Sequence, residues 1–243
     1  MNLIIEQGNS ATKMAVFQGD RPVETAVFDT LGTAEVSAAL ERYPLENGIF
    51  SSVAGCEFAL TSLLSKRLKR FFVFDDSLKL PLEICYRTPE TLGKDRIAAA
   101  VGACAMRPKC DLLVIDAGTA ITYEIVEASG RFVGGNISPG MTTRFRALNH
   151  FTRQLPLVHE TDLPPLIGTS TETAIIAGVV NGIVYEMDGF IDALKVIYPD
   201  IFVFMTGGHS IYFERRLKNP IFAAINLVLT GLNNILEYNV ENK

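Results

Sequence analysis

Two segments, Leu3–Val16 (LIIEQGNSATKMAV) and Leu113–Val126 (LVIDAGTAITYEIV), decide how this chain folds. They align without a gap, 110 residues apart, with Glu6 on Asp116, Gly8 on Gly118 and Thr12 on Thr122. Each runs from an apolar strand into a carboxylate, any residue, a glycine, small polar residues and a second strand. An acidic residue beside a glycine is ordinary turn chemistry, so one copy alone says little. Two copies, each opening a strand-rich half, point to a duplicated α/β architecture with a cleft between the halves.

Outward from the first copy, the pattern predicts strands at Leu3–Glu6, Lys13–Gln18 and Pro22–Phe28 and a helix at Ala34–Arg42. A strand at Gly48–Val53, a helix at Phe58–Arg70 and strands at Phe71–Phe74 and Leu82–Tyr86 follow. An Ala-rich helix starts near Gly93–Asp95 and runs to Met106. The second half starts over with strands at Asp111–Asp116, Ile121–Val126 and Arg131–Ile137. Helices Thr142–Leu155, Thr171–Ile197 and Phe222–Tyr238 come after, with a strand Ile201–Met205 entering Thr206-Gly207-Gly208. The expected domains are 1–110 and 111–243.

With 243 residues, 48% of them apolar, the chain buries a sizeable core. Net charge is −5, and the one basic cluster (Lys66, Arg67, Lys69, Arg70) reads as a solvated helix face, so no nucleic-acid partner is expected. Met1 runs into the apolar strand Leu3–Ile5 with no basic n-region and no small-residue cleavage site, so no signal peptide is expected. The longest apolar stretch, Ile221–Leu236, contains Asn226, Gly231, Asn233 and Asn234 and reads as a buried helix, so no membrane span is expected. Cys56, Cys85, Cys104 and Cys110 have no paired spacing and read as reduced thiols of a cytosolic protein. His150, His159 and His209 form no zinc-type pattern with them.

The two turns suit phosphate. Gly8 and Gly118 let backbone N–H groups approach an anion closely, Asn9, Ser10 and Thr119 add donors, and Lys13 adds a positive charge. Glu6 and Asp116 end equivalent strands, where carboxylates hold a hydrated cation between phosphates. Neither GxxxxGK[ST] nor GxGxxG occurs, so the phosphate machinery is of another type. Gly93-Lys94-Asp95-Arg96 reads either as a helix start with an acid favoured by the macrodipole, or as a general base beside a positive substrate anchor. Gly134-Gly135-Asn136-Ile137-Ser138-Pro139-Gly140 reads as a constrained loop whose following helix start could face an anion. Thr206-Gly207-Gly208 reads either as a simple strand-to-helix turn or as backbone packed against a nucleobase or ribose.

Taken in order, Gly8-Asn9-Ser10-x-x-Lys13, Leu92-Gly93-Lys94-Asp95-Arg96, Asp116-x-Gly118-Thr119-Ala120-x-Thr122, Gly134-Gly135-x-Ile137-x-Pro139-Gly140 and Thr206-Gly207-Gly208 resemble the type III pantothenate kinases. These are enzymes of the acetate/sugar kinase, heat-shock ATPase and actin superfamily, and the resemblance spans nearly the whole chain. It implies duplicated ribonuclease-H-like (actin-like ATPase) domains, each a mixed sheet flanked by helices. The implied activity is ATP-dependent phosphorylation of pantothenate, the first step of coenzyme A biosynthesis, with Mg²⁺. The resemblance puts ATP on Glu6, Gln7, Gly8, Asn9, Ser10, Ala11, Thr12, Lys13, Thr119, Gly207 and Gly208. It puts pantothenate on Tyr86, Gly93, Lys94, Asp95, Arg96 and Thr171, with Asp95 as catalytic base. It also implies a monovalent cation (K⁺ or NH₄⁺) on Asp116, a cytoplasmic homodimer, and a substrate site built partly at the dimer interface.

Glu6 departs from the family, whose first motif begins with Asp. Its extra methylene carries the carboxylate further, and Mg²⁺ geometry tolerates little displacement, so a water-mediated Mg²⁺ contact and altered Mg²⁺ or ATP affinity are expected. A sugar kinase of the same fold, or a nucleotide-binding regulator without catalysis, are the alternative readings of the same residues.

Overall fold

A computed structural model of the chain describes residues 1–53, 55 and 58–242. Strands β1 (Asn2–Gln7), β2 (Thr12–Gln18) and β3 (Arg21–Phe28) form an antiparallel meander. Helix α1 (Thr33–Arg42) leads to β4 (Asn47–Ser52), and α2 (Phe58–Arg67) leads to β5 (Arg70–Val73). The strand order is β3-β2-β1-β4-β5, with β4 parallel to β1 and β5 parallel to β4. A short β6 (Glu83–Ile84) and the helix α3 (Lys94–Met106) follow.

The second run repeats this plan. It comprises β7 (Leu112–Ala117), β8 (Ala120–Val126), β9 (Arg131–Pro139), α4 (Met141–Phe151), α5 (Thr171–Ile197), β10 (Phe202–Thr206), α6 (Ser210–Glu214), β11 (Phe222–Ala223) and α7 (Leu227–Glu241). Its strands lie in the order β9-β8-β7-β10-β11, the same permutation as the first sheet. As in the first sheet, the strand after the opening one is antiparallel to it and the later ones are parallel. Helix α7 holds the place in the second run that α3 holds in the first, and α5 is the long addition.

The chain divides into two compact units. Unit 1 contains Met1–Lys109, Ser129–Val133 and Asn226–Lys243; unit 2 contains Cys110–Ala128 and Gly134–Ile225. Helix α7 and the first residues of β9, which pair with β6, therefore belong to unit 1.

In unit 1, Leu3, Ile4 and Ile5 are all fully buried, as expected for a strand covered on both faces. Leu3 and Ile5 join Met14, Val16 and Phe50 in a core closed by Val36 and Ala39 of α1 and Leu60 and Leu64 of α2. Helix α7 packs on β1 and against α3. Two glycines set how closely these helices approach. A Cβ on Gly231 would stand 1.7 Å from the Ala98 carbonyl oxygen, and one on Gly102 would stand 2.2 Å from that of Leu227. The asparagines of α7 are satisfied locally. Asn233 accepts from the Asn2 amide and donates to the Gly19 carbonyl, while Asn239 exchanges hydrogen bonds with the backbone of Lys79.

In unit 2, α4 and α5 cover one face of the sheet, and Leu113, Ile115 and Ala117 of β7 pack with Phe145, Val180, Ile183, Met187 and Ile191. Among the described residues, helix α5 is long and apolar enough to cross a membrane by length and composition, so Ile221–Leu236 is not the longest such candidate. Half of that apolar window is buried within the protein, which gives it a role as a core helix.

Four other expectations change. The C-terminal helix begins at Leu227, because Phe222–Ala223 pairs with β10 instead. The strand expected at Arg131–Ile137 is present and runs on to Pro139, which leaves no loop at Gly134–Pro139. The basic cluster does not share one helix face: α2 ends at Arg67, and the Arg70 guanidinium donates to the Val240 carbonyl at 2.5 Å. Finally, the two hairpins differ by one residue. Glu6 faces Lys13 across β1 and β2, whereas Asp116 faces Thr122 across β7 and β8. The gapless alignment of Thr12 on Thr122 therefore fails beyond the turn. Cys85, Cys104 and Cys110 are free and half-buried, and Cys56 lies outside the described residues.

The α3–α7 crossing gives a direct test. Gly231→Ala is expected to destabilise the protein by about 1–3 kcal/mol or more through overpacking. Gly189→Ala, where an added Cβ meets nothing within 4 Å on helix α5, is expected to stabilise it by about 0.5–1 kcal/mol. Urea denaturation of both variants measures the difference, and equal midpoints would contradict the crossing geometry.

Candidate active site

In unit 1 the first turn is closed by the Gly8 N–H donating to the Ala11 carbonyl at 3.0 Å. The Glu6 side chain folds back over it, with Oε1 3.2 Å from where a Cβ on Gly8 would be. Lys13, directly across the hairpin, brings its ammonium to 3.8 Å from Glu6 Oε2. Ser52, at the end of the parallel neighbour β4, donates to the Gln7 side chain at 2.9 Å, and the Val53 N–H donates to the Gln7 carbonyl at 3.1 Å. Asn9 and Ser10 are exposed at the tip, whereas Thr12 is buried.

Asp95 stands in the first turn of α3, where Gly93 is the N-cap. Its Oδ1 accepts from the Arg96 N–H at 2.9 Å and lies 2.5 Å from a Cβ position on Gly93, so any larger residue at 93 would displace the carboxylate. Arg96 is buried, with its guanidinium carbon 5.9 Å from the centre of the Tyr86 ring, a cation–π distance. Lys94 pairs with Asp76 and lies 5.8 Å from the Phe74 ring centre. Glu6 is placed to feel Asp95. Burial pushes its carboxyl above the ordinary value, Lys13 opposes this, and the negative charge of Asp95 adds to it.

In unit 2 the second turn is closed by the Gly118 N–H donating to the Ala120 carbonyl at 3.0 Å. Asp116 folds over it as Glu6 does over the first, with Oδ1 3.3 Å from the Cβ position of Gly118. Two glycines press against this turn. Gly207, at φ +93°, would place a Cβ 2.5 Å from Asp116 Oδ1 and 2.6 Å from the Ala117 backbone. Gly140, the N-cap of α4, would place one 2.2 Å from the Gly118 carbonyl oxygen. The His209 N–H ties the segment after Gly208 to the Ala117 carbonyl at 3.1 Å. Thr119 and Gly208 are exposed. Thr171 is exposed at the start of α5, where Ser170 caps the helix by accepting from the Thr173 N–H. It lines a groove of 730 Å³ with Arg144, Leu148, Leu155, Ile175 and Val179.

Among the described residues, no three His, Cys, Asp or Glu side chains are grouped to hold a metal by themselves. Glu6 and Asp116 instead each offer one half-buried carboxylate beside a glycine turn. A single carboxylate such as that of Glu6 suits Mg²⁺, which keeps waters and shares its remaining positions with substrate phosphates. Sequence reasoning missed the cluster of Tyr123, Ser138, Arg144 and Glu186, whose members come from four separate elements and carry no local signature. It also missed the Lys94–Asp76 pair.

Two repeats of one strand permutation, each with a carboxylate folded over a glycine turn, define an actin-like phosphotransferase or ATPase fold. The solved activator of 2-hydroxyisocaproyl-CoA dehydratase from Clostridium difficile, with bound ADPNP, has this fold. It matches at TM-score 0.52 and 13% identity over 100% of this chain and 98% of its own. The family model described as type III pantothenate kinase matches residues 2–193. The type III pantothenate kinase of Phocaeicola vulgatus is 45% identical over 243 residues, covering 98% of this chain and 99% of that relative. That of Bacteroides fragilis is 45% identical over 239 residues, covering 98% of each. The chain belongs to the type III pantothenate kinase family.

The Glu6 environment sets a pH dependence. With its folded proton affinity raised from the ordinary value of 4.5, its stabilising contribution is complete below that value and is lost as pH rises through the folded value. Above the folded value, the carboxylate form of Glu6 is held less well in the fold than in the unfolded chain. Glu6→Gln is expected to melt higher than the wild type at pH 7, with the gap closing towards pH 4. An equal or lower melting temperature at pH 7 would contradict this.

Proposed function

We propose that Asp95 is the general base of the reaction, and that Glu6–Lys13, Thr119, Gly207 and Gly208 contact ATP. As a member of its family the chain is a kinase, transferring the γ-phosphoryl group of ATP to pantothenate in coenzyme A biosynthesis. The primary hydroxyl of pantothenate attacks γ-phosphorus, the bond from that phosphorus to the β–γ bridging oxygen breaks, and ADP leaves. The hydroxyl proton passes to an Asp95 carboxylate oxygen. Phosphoryl transfer asks mainly for positioning and charge neutralisation. The two turns supply backbone N–H groups for phosphate, and Lys13 is free to exchange its long contact with Glu6 for a phosphate oxygen. Mg²⁺, when bound, neutralises phosphate charge, and Glu6 would hold it through water.

The observation that carries the assignment of Asp95 is its placement. The carboxylate is fixed on Gly93 and the Arg96 N–H, in the same unit as the first turn and close enough to Glu6 to raise that residue's proton affinity. Tyr86 and Arg96, stacked beside it, suit the carboxylate and polar body of pantothenate, with Gly93, Lys94 and Thr171 as further contacts. We propose also that Asp116 holds a K⁺ or NH₄⁺ ion, as the family pattern at this position implies. Two copies would form a cytoplasmic homodimer. The exposed position of Thr171 on an apolar groove and the free cysteines support that reading.

Asp95→Asn keeps the size and hydrogen-bonding shape of the side chain but removes the base. Turnover is expected to fall by about 10²–10⁴-fold with the Michaelis constant for pantothenate largely unchanged. Steady-state kinetics measure both, and near-normal turnover would remove Asp95 from the role.

A further inference from the structure

Thr119 stands at the tip of the second turn, and its backbone carbonyl is pinned from α4. That oxygen accepts from the Gly140 N–H at 3.0 Å and from the Thr143 hydroxyl at 2.7 Å. Gly140 also lies against the turn with no room for a side chain, its Cβ position being 2.6 Å from the same oxygen. The orientation of Thr119 therefore depends on where the first turn of α4 is held.

One guanidinium holds it. Arg144 Nε donates to the Pro139 carbonyl at 2.8 Å, across the junction of β9 and α4. Its Nη2 donates to the Ser138 hydroxyl at 2.8 Å and to Glu186 Oε2 at 2.6 Å. Glu186, on α5, accepts in addition from the Ser138 hydroxyl at 3.2 Å and from the Tyr123 hydroxyl at 2.8 Å. Tyr123 is almost wholly buried on β8, the strand by which the chain leaves the turn. The Arg144 and Glu186 side chains are only 21% and 24% exposed, so the pair is shielded and directional, unlike an ordinary surface ion pair. Burial, the largest single influence, pushes the Glu186 carboxyl up; the hydrogen bonds from Arg144, Tyr123 and Ser138 and the Arg144 charge outweigh it, leaving Glu186 below the ordinary value. It is thus an anion at neutral pH.

We propose that Arg144, anchored by Glu186, is a positioning residue for the nucleotide turn. It touches no phosphate itself but sets the backbone from which Thr119 contacts ATP. This rests on the assignment of Thr119 to ATP made above.

The test separates a positioning effect from loss of stability by measuring both Michaelis constants in three variants. Glu186→Gln keeps the shape and one acceptor while removing the charge that anchors Arg144. The Michaelis constant for ATP is expected to rise about three- to tenfold, with that for pantothenate within about twofold of wild type. Val180→Ala, a core truncation on the same helix, lowers the melting temperature without touching the network and is expected to leave both constants unchanged. Thr119→Ala checks the underlying assignment and is expected to raise the constant for ATP. If Thr119→Ala raises it and Glu186→Gln does not, or if Glu186→Gln raises both constants equally, Arg144 has no positioning role. If Thr119→Ala leaves it unchanged, the nucleotide assignment fails and the proposal falls with it.

Discussion

A carboxylate folded back over a glycine where a strand turns is the constraint on which the rest of this molecule is arranged. At Gly8 and at Gly118 the carboxylate oxygen lies 3.2 and 3.3 Å from the position a Cβ would take. The backbone N–H groups of the turn and an acidic oxygen can share that space only because a side chain is absent. Around each turn the fold then brings other close approaches. In unit 2, Gly207 presses on Asp116 from β10, and Gly140 presses on the turn from α4. In unit 1, β4 ends beside Gln7, and α3 begins with Asp95 near Glu6. The extra methylene of Glu6 does not push its carboxylate away from the glycine. The first hairpin carries one more residue than the second, and the two oxygens end at matching distances from their glycines.

The position of Asp95 follows from backbone packing rather than from any contact of its own side chain alone. Helix α3 can lie against α7 only because Gly102 and Gly231 lack side chains, and α7 is itself fixed by Asn233 and Asn239 to loops of the same unit. A reaction that needs a base within hydrogen-bonding reach of a hydroxyl depends on such placement to a fraction of an ångström. With Asp95 proposed as the base, the C-terminal residues bear on its placement although none is proposed as a site residue. The shielded Arg144–Glu186 pair acts in the same way on the second turn.

Most of the fold was legible because its signals are local. The apolar runs at Leu3–Ile5 and Leu112–Ile115, the alanines of α3 and the acid–glycine turns each report on a few neighbouring residues. The duplication was legible because both copies kept that local chemistry. What escaped was set by pairing at a distance. The extra residue in the first hairpin shows only in the cross-strand partners of Glu6 and Asp116. Gly134 and Gly135 carried two readings, strand by the run from Arg131 and loop by their glycines, and they lie in β9, where the partner strands and not local propensity decide. Phe222 and Ala223 continue an apolar pattern that suits a helix, but pairing with β10 takes them into the sheet. At the candidate site, Glu6, Asp95, Asp116 and Thr119 stood out by motif. Arg144, Glu186 and Tyr123 did not, because their hydrogen bonds join residues 42 and 63 positions apart.

The central claim is that these turns serve phosphoryl transfer to pantothenate. Release of ADP from Mg·ATP by the purified chain, followed in a coupled assay with and without pantothenate and with a panel of sugars, tests it most directly. The account predicts ADP release that depends on pantothenate and is matched mole for mole by phosphorylated pantothenate. ADP release that is unchanged by pantothenate, or that requires a sugar instead, would contradict it.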